Sequence, residues 1–264
     1  MRCAGYDGGV ADPWDPAQYG KFRSEREQPF YDLLALVRPR PAMRVIDMGC
    51  GTGALTLQLH RTLEAREMLG IDNSASMLAQ APPAPGLRFE QRDIAEFSSH
   101  ETFDLIFSNA ALHWVPHHEE LLARLRGFLG AGGQIAVQMP CNEEHASHVT
   151  ARELAMEHEF KRHLGGFVAR PPIHSPTQYA SWLHHLGFTA QHVRLQVYTH
   201  LLPSRDDVVE WVRGTLLTDY QRRLPPAVWE KFLSRYRETL LPQLGDQRPF
   251  LYTYPRVLFW GQLP

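Results

Sequence analysis

The spacing of apolar residues along the chain changes several times, and each change marks an element. From Ala17 to Val37 they return at helical intervals (Phe22, Phe30, Leu33, Leu34, Val37), which predicts one or two helices after a Gly-, Asp- and Pro-rich opening at 1–15. Met43–Asp47 is a short apolar run closed by glycines, and Ala54–His60 has helical spacing, so the order is strand, glycine turn, helix. The alternation recurs. Glu67–Asp72 is strand-like, Ser74–Ala81 helical, and Leu87–Gln91 and Phe103–Ser108 are further strands. A helix at His117–Leu129, a Gly-rich turn at Gly130–Gly133 and the strand Gln134–Gln138 follow, the last apolar enough to be buried on both faces. Strands alternating with helices predict a doubly wound α/β fold around a mostly parallel sheet.

Beyond Met139 the alternation loosens. Ser147–His163, Thr177–Leu186, Asp206–Leu217 and Ala227–Leu241 read as helices, and His192–Tyr198 and Tyr252–Trp260 as strands. The surplus helices predict a cap over the strand ends, where open α/β sheets bind ligands. At 264 residues the expectation is one domain, with a core at 40–142, 175–200 and 250–262 and a helical cap at 14–37, 143–174 and 203–248.

Charge narrows the partners. The 27 basic and 29 acidic residues nearly cancel, and neither sign gathers into a block, so nucleic acid and membrane are not expected partners. No window approaches the roughly 20 apolar residues of a bilayer span, and the first residues lack a secretory signal pattern, which makes the cytosol the expected compartment. Cys3, Cys50 and Cys141 are scattered and read as reduced thiols. The adjacent histidine pairs His117-His118 and His184-His185 would point about 100° apart on a helix, so no metal site is expected.

The strongest chemical signal is Val45-Ile46-Asp47-Met48-Gly49-Cys50-Gly51-Thr52-Gly53. Glycines between strand and helix let the main chain approach a ligand closely. Gly49, Gly51 and Ala54 also satisfy the looser dinucleotide fingerprint, so the glycines alone leave a nicotinamide enzyme open. Asp47 leans the other way: a carboxylate there repels a pyrophosphate and suits a ligand carrying an ammonium and a sulfonium. Asp72, at the end of the second strand, is placed to accept both hydroxyls of a ribose. Asp93-Ile94 follows the third strand, where a carboxylate can accept from an adenine amino group while the isoleucine covers the ring. The apolar strand Phe103–Ser108 runs into Asn109, His113 and Trp114, which would face a reacting group if the first and fourth strands are neighbours.

In this order the segments resemble the class I S-adenosylmethionine-dependent methyltransferases, and within them the trans-aconitate methyltransferase family. Trp14-Asp15-Pro16, Tyr19, Arg26, Asp72-Asn73-Ser74, Ser108–Trp114, Gln138-Met139-Pro140, Asn142, Ser147-His148, Trp211 and Tyr254-Pro255-Arg256 carry the likeness over nearly the whole chain. The resemblance implies a Rossmann-like seven-stranded sheet and S-adenosylmethionine as cofactor, leaving as S-adenosylhomocysteine. It implies Asp47, Gly49, Cys50, Gly51, Gly53, Asp72, Asn73, Met77, Asp93, Ile94 and Asn109 around the cofactor, and Tyr19, His113 and Trp114 at the reacting centre. Arg26, Arg170 and His174 are the candidates to bind the acceptor, a carboxylate of a small organic acid such as trans-aconitate, in a monomer or homodimer. The chain departs from the family where Gln28 replaces an arginine before Pro29 and where Thr215-Leu216-Leu217-Thr218 lacks another. Those losses keep in play another small or carrier-bound acid and an apolar natural product as acceptors, and a sensor without chemistry stays as the non-enzymatic alternative.

Overall fold

The computed structural model describes residues 23–264, with side chains from residue 27 onward. Trp14 and Tyr19, and the side chain of Arg26, therefore lie outside the described residues. The first helix, α1 (Arg23–Leu34), precedes β1 (Arg44–Met48), α2 (Ala54–Leu63), β2 (Glu67–Asp72), the short α3 (Ala75–Leu78) and β3 (Leu87–Gln91). Next come β4 (Phe103–Asn109), a 3-10 turn at Leu112–Trp114, α4 (His118–Arg126) and β5 (Leu129–Pro140). The remainder is α5 (Ala146–Met156), α6 (His158–Leu164), α7 (Pro176–His185), β6 (Ala190–Leu202), α8 (Asp206–Arg213), α9 (Thr218–Arg223), α10 (Pro226–Leu240) and β7 (Phe250–Gln262).

The seven strands lie in the order β3-β2-β1-β4-β5-β7-β6, with β7 antiparallel to both its neighbours. Because β1 pairs with both β2 and β4, the chain leaves the centre of the sheet in two directions, and a crevice opens where the order reverses. Local chemistry supports the elements. Gly53 enters α2 from the left-handed region at φ 71°, and Ser74 caps α3 by accepting from Met77 N. Ser175 caps α7, whose first residue is Pro176.

Three apolar clusters hold the molecule together. On one sheet face α4 and α7 bury Leu121, Leu125, Tyr179 and Leu183 against Ile46, Ile106, Val137 and Phe259. On the other, α1 and α2 bury Phe30, Leu33, Leu59 and Leu63 against Val45, Phe107, Ala136 and Leu258. Helices α5, α6, α8, α9 and α10 form a third cluster with Trp211, Phe232 and Tyr236 at its centre, entered by Tyr252 and Tyr254 of β7. The described part of segment 14–37, expected in the cap, thus covers the sheet instead, because its apolar stripe matches that face.

Other boundaries differ from the sequence pattern for physical reasons. Residues 147–163 are two helices, broken at Glu157, whose ψ of 141° is extended. Residues 206–217 end as helix at Arg213, and α9, unforeseen, follows once Leu216 and Leu217 have turned into the cap interior. Gly130–Gly133 is an irregularity inside β5, whose register against β4 slips between Phe103 and Leu105, and not a separate turn. Strands β6 and β7 reach 13 residues each because they pair with one another along their whole length.

Candidate active site

The carboxyl ends of β1 and β2 bring two acids to one glycine turn. Gly49 N and Cys50 N both donate to Ile71 O, at 2.8 and 2.9 Å, so the turn is stitched to β2. Gly51 N donates to Asp72 Oδ2 at 2.8 Å, and Ser74 N to Asp72 Oδ1 at 2.9 Å. Asp72 therefore shapes the loop with both oxygens. The turn needs its glycines. A Cβ on Gly49, at φ +81°, would stand 2.1 Å from Ala111 Cβ, which shows how closely the loop after β4 abuts it. Gly51, at φ +54°, would project a Cβ that meets no atom of the described residues within 4 Å.

Asp47 is buried and accepts from Thr56 Oγ1 at 2.6 Å. Burial, reinforced by the charge of Asp72, pushes its carboxyl up from 3.8 to about 7 despite that hydrogen bond. A cation placed between two such acids relieves both the burial and the repulsion, so the donor set fits an ammonium and sulfonium nucleoside and opposes a pyrophosphate. Cys50 is buried beside them, and the same burial and negative charges push its thiol up, which keeps it protonated.

Around this centre the other residues sit unequally. Met77 is buried under the Ser74 cap, while Asn73 is exposed and accepts from Gln91 Nε2 through its carbonyl. Asp93 is exposed and accepts at Oδ1 from Ala95 N at 2.7 Å, an Asx turn that occupies one of its oxygens. Ile94 is buried, with its Cδ1 3.7 Å from where a Gly49 Cβ would lie. The pairing of β1 with β4 brings the loop 109–114 to the glycine turn, and Ser108 Oγ pins it by donating to Met48 O at 2.8 Å.

His113 is buried with its ring centroid 4.6 Å from that of Trp114, which is 43% exposed. Its Nδ1 has no hydrogen-bond partner among the described residues. Burial, with the charges of Arg256 and His118, pushes its pKa down to about 3. Behind it, His118 Nε2 donates to Leu112 O at 2.9 Å, since a carbonyl only accepts, and Nδ1 accepts from Tyr179 Oη at 2.6 Å. His174 N completes the chain by donating to that hydroxyl at 3.3 Å, while its own ring rests 4.8 Å from Trp182. His174 thus braces the 3-10 turn through its main chain. Arg170 is exposed, and among the described residues no hydrogen bond or ion pair links it to these groups.

Thr56 was not singled out from the sequence, and Gln138 and Arg256 entered it only as carriers of the family likeness, without a role at the site. Thr56 lies nine residues after Asp47, at the third position of α2, a spacing that only the strand–turn–helix geometry turns into contact. Gln138 Nε2 donates to Asn109 Oδ1 at 2.7 Å, and Arg256 Nη1 donates to Gln138 Oε1 at 3.1 Å. Buried polar residues inside apolar strands were the available signal, and it is ambiguous. Gln134, equally buried, spends its amide on Arg38 and Trp260 and serves the fold.

Sheet order, the reversed last strand and an acid pair at the switch point are the architecture of a Rossmann-like methyltransferase. The family described as "Methyltransferase domain" matches residues 39–184. Trans-aconitate 2-methyltransferase of Deinococcus radiodurans is 42% identical over 259 residues, 95% of this chain and 98% of its own. Trans-aconitate 2-methyltransferase of Methylobacterium nodulans is 41% identical over 249 residues, 92% and 96% of the two chains. The chain belongs to this methyltransferase family. Solved structures support the fold: the YcgJ protein of Bacillus subtilis aligns with TM-score 0.58 at 14% identity, over 90% of this chain and 98% of its own. Haemonchus contortus phosphoethanolamine N-methyltransferase 2, solved with S-adenosyl-L-methionine, aligns with TM-score 0.54 at 17% identity, over 97% of this chain and 61% of its own.

Proposed function

We propose that this S-adenosylmethionine-dependent methyltransferase esterifies a carboxylate of a small organic acid, trans-aconitate or a close analogue, by direct transfer. When bound, the cofactor supplies a methyl group on a sulfonium. The chain's part is to grip and align: the turn at 47–53, Asp72 and Asn109 hold the donor, Asn73, Met77, Asp93 and Ile94 flank its nucleoside, and His113 and Trp114 face the acceptor; the resemblance adds Tyr19 to the reacting centre.

The observation that carries the reading is the setting of His113, buried and with no hydrogen-bond partner on Nδ1 among the described residues. An imidazole held near pKa 3 is neutral at physiological pH and takes up a proton poorly, so it is a weak general base for an alcohol or amine. A carboxylic acid with a pKa of about 4 arrives already ionised and needs no base. Bringing its oxygen to about 3 Å from the methyl carbon, opposite the sulfur, is then the whole task.

The two lost arginines weigh less than they do in the sequence. Gln28 donates to Asp32, which also accepts from Tyr198, so position 28 serves a helix–strand contact. Leu216 and Leu217 are buried in the cap and Thr218 bonds Arg213 O. Arg26, Arg170 and His174 remain the acceptor-side candidates from sequence. Among the described residues no helix is long and apolar enough to cross a membrane, and Cys50 and Cys141 are free thiols. The proposed setting, a monomer or homodimer in the cytosol acting on a small molecule, rests on the sequence reading. Incubation with methyl-labelled S-adenosylmethionine and a panel of di- and tricarboxylic acids tests the proposal. Base-labile labelled esters are expected; label on an amine or phenol and on no acid would reject it.

A further inference from the structure

The two edges of the sheet are finished differently. At one, β3 has five residues and is studded with charge: Arg88 and Arg92 pair with Glu90 at 3.3 and 2.7 Å, the short and charged form that keeps an edge from pairing further. At the other, β6 runs thirteen residues without a proline, glycine or lysine, and pairs with β7 along its whole length without a bulge. Its one fixed charge is Arg194. Leu195, Val197 and Leu201 project from one face of β6 and are 50 to 70% exposed, and Leu251, paired with Leu201, is 54% exposed beside them. Four of the seven large exposed apolar side chains among the described residues thus gather on one strip at the sheet's edge.

On the opposite face a cavity of about 470 Å³ lies between this edge and α1, lined by Gln28, Asp32 and residues 196–200. Asp32 accepts from Gln28 Nε2 at 2.8 Å and from Tyr198 Oη at 2.7 Å, and no cation pairs with it among the described residues. Arg194 lies an even number of steps from Tyr198, on that same face; its Nε has no hydrogen-bond partner, and no acid pairs with it among the described residues. We propose that β6 pairs antiparallel with β6 of a second copy about a two-fold axis at its middle residue, Gln196, joining two seven-stranded sheets into one. In this register all thirteen residues find a partner. Leu195 lies against Val197 of the second copy on one face, and Arg194 against its Tyr198 on the other. Each copy thereby brings a cation beside the other's Asp32, while the two Arg194 side chains, four positions apart, stay about 14 Å from one another. The apolar strip becomes continuous across the axis, as an interface whose patch must complement itself requires. An edge about 44 Å long, with a layer of side chains on each face, is on the scale of the roughly 800 Å² per partner that stable dimers bury.

Sedimentation of the wild type from about 1 to 100 μM tests the pairing, and a reversible dimer is expected. Val197→Lys puts a charge into the apolar strip at a half-exposed position, so a monomer with an unchanged unfolding midpoint is expected. Arg194→Glu sets an acid against Asp32 and should raise the dissociation constant of the dimer about tenfold or more. If either variant fails to fold, Gln196→Cys reports the register directly. Residues facing one another across the axis stand about 5 Å apart at Cα, so air oxidation should link two chains through this position. Thr199→Cys, about 20 Å from its copy, and the wild type, whose Cys50 and Cys141 are free thiols, should remain unlinked. A monomer at every concentration would overturn the proposal and leave the edge to another segment of this chain or to a different protein. A dimer that survives Val197→Lys and is not linked at Gln196→Cys would overturn it as well.

Discussion

The proposed donor end and the proposed acceptor end of the site are built by opposite means. At the donor end the partners are close in sequence, Asp47 with Thr56 and Gly51 with Asp72, and much of the work falls to main-chain N–H groups. At the acceptor end the contacts are between buried side chains far apart in the chain. Gln138 reaches Arg256, Asn142 donates to Tyr252 at 3.2 Å, and Tyr236 donates to Ser147 O at 2.9 Å, each bond closing a loop of about 90 residues or more. A turn made of backbone tolerates little change, because glycine conformation and close approach are set together. A lining made of side chains on a separately packed cap can be altered residue by residue.

Four substitutions or conditions sharpen that contrast, from the largest effect to the smallest. Gly49→Ala strikes the donor end where a methyl has no room, at positive φ and 2.1 Å from Ala111 Cβ. A stability loss of about 2–5 kcal/mol by urea unfolding, with cofactor binding lost, is expected. A variant of wild-type stability that still binds would show that the turn is softer than its geometry.

The second probe is pH. Asp47 titrates in the free protein near 7 instead of 3.8, so its contribution to stability is complete below pH 3.8 and is lost as pH rises through about 7. A bound cation favours the ionised form, so cofactor affinity should rise with pH. Calorimetry should find it about tenfold weaker for each unit below pH 7, and Asp47→Asn should bind more weakly with a flat profile. Equal affinity at pH 5 and pH 7 in the wild type would mean that Asp47 neither gains nor loses a proton on binding, and would reject this account of its role.

Thr56→Val removes the hydroxyl that stabilises the ionised Asp47. The expected cost is about 1–3 kcal/mol in stability, with the midpoint of the affinity profile moved to higher pH. The smallest effect belongs to the cap. Tyr236→Phe deletes one buried bond to Ser147 O and should cost about 1 kcal/mol while cofactor affinity stays unchanged. A change in cofactor affinity as large as that of Thr56→Val would dissolve the division between the two ends.

Legibility in the sequence follows the same division. The strand–turn–helix at 43–60 and the second strand ending at Asp72 rest on short-range pattern, and the structure has them within a few residues of where the pattern puts them. Asp72 reads equally as an acceptor for ligand hydroxyls, but its hydrogen bonds to Gly51 N and Ser74 N, which fold the loop itself, need coordinates to be seen. The break at Glu157 and the existence of α9 were invisible because both depend on how the cap interior fills, not on local propensity.

What the sequence determined alone is whatever one turn or one period encodes: the alternation of strand and helix, the left-handed glycines, an acid beside each of the first two strands. Tertiary structure decided the rest. It made Asp47 a strained acid by burying it, made His113 a neutral ring by shielding it from water, and carried Arg256 across 118 residues to Gln138. Protonation state and charge separation are properties of surroundings, and surroundings are supplied by residues that the chain order keeps far apart.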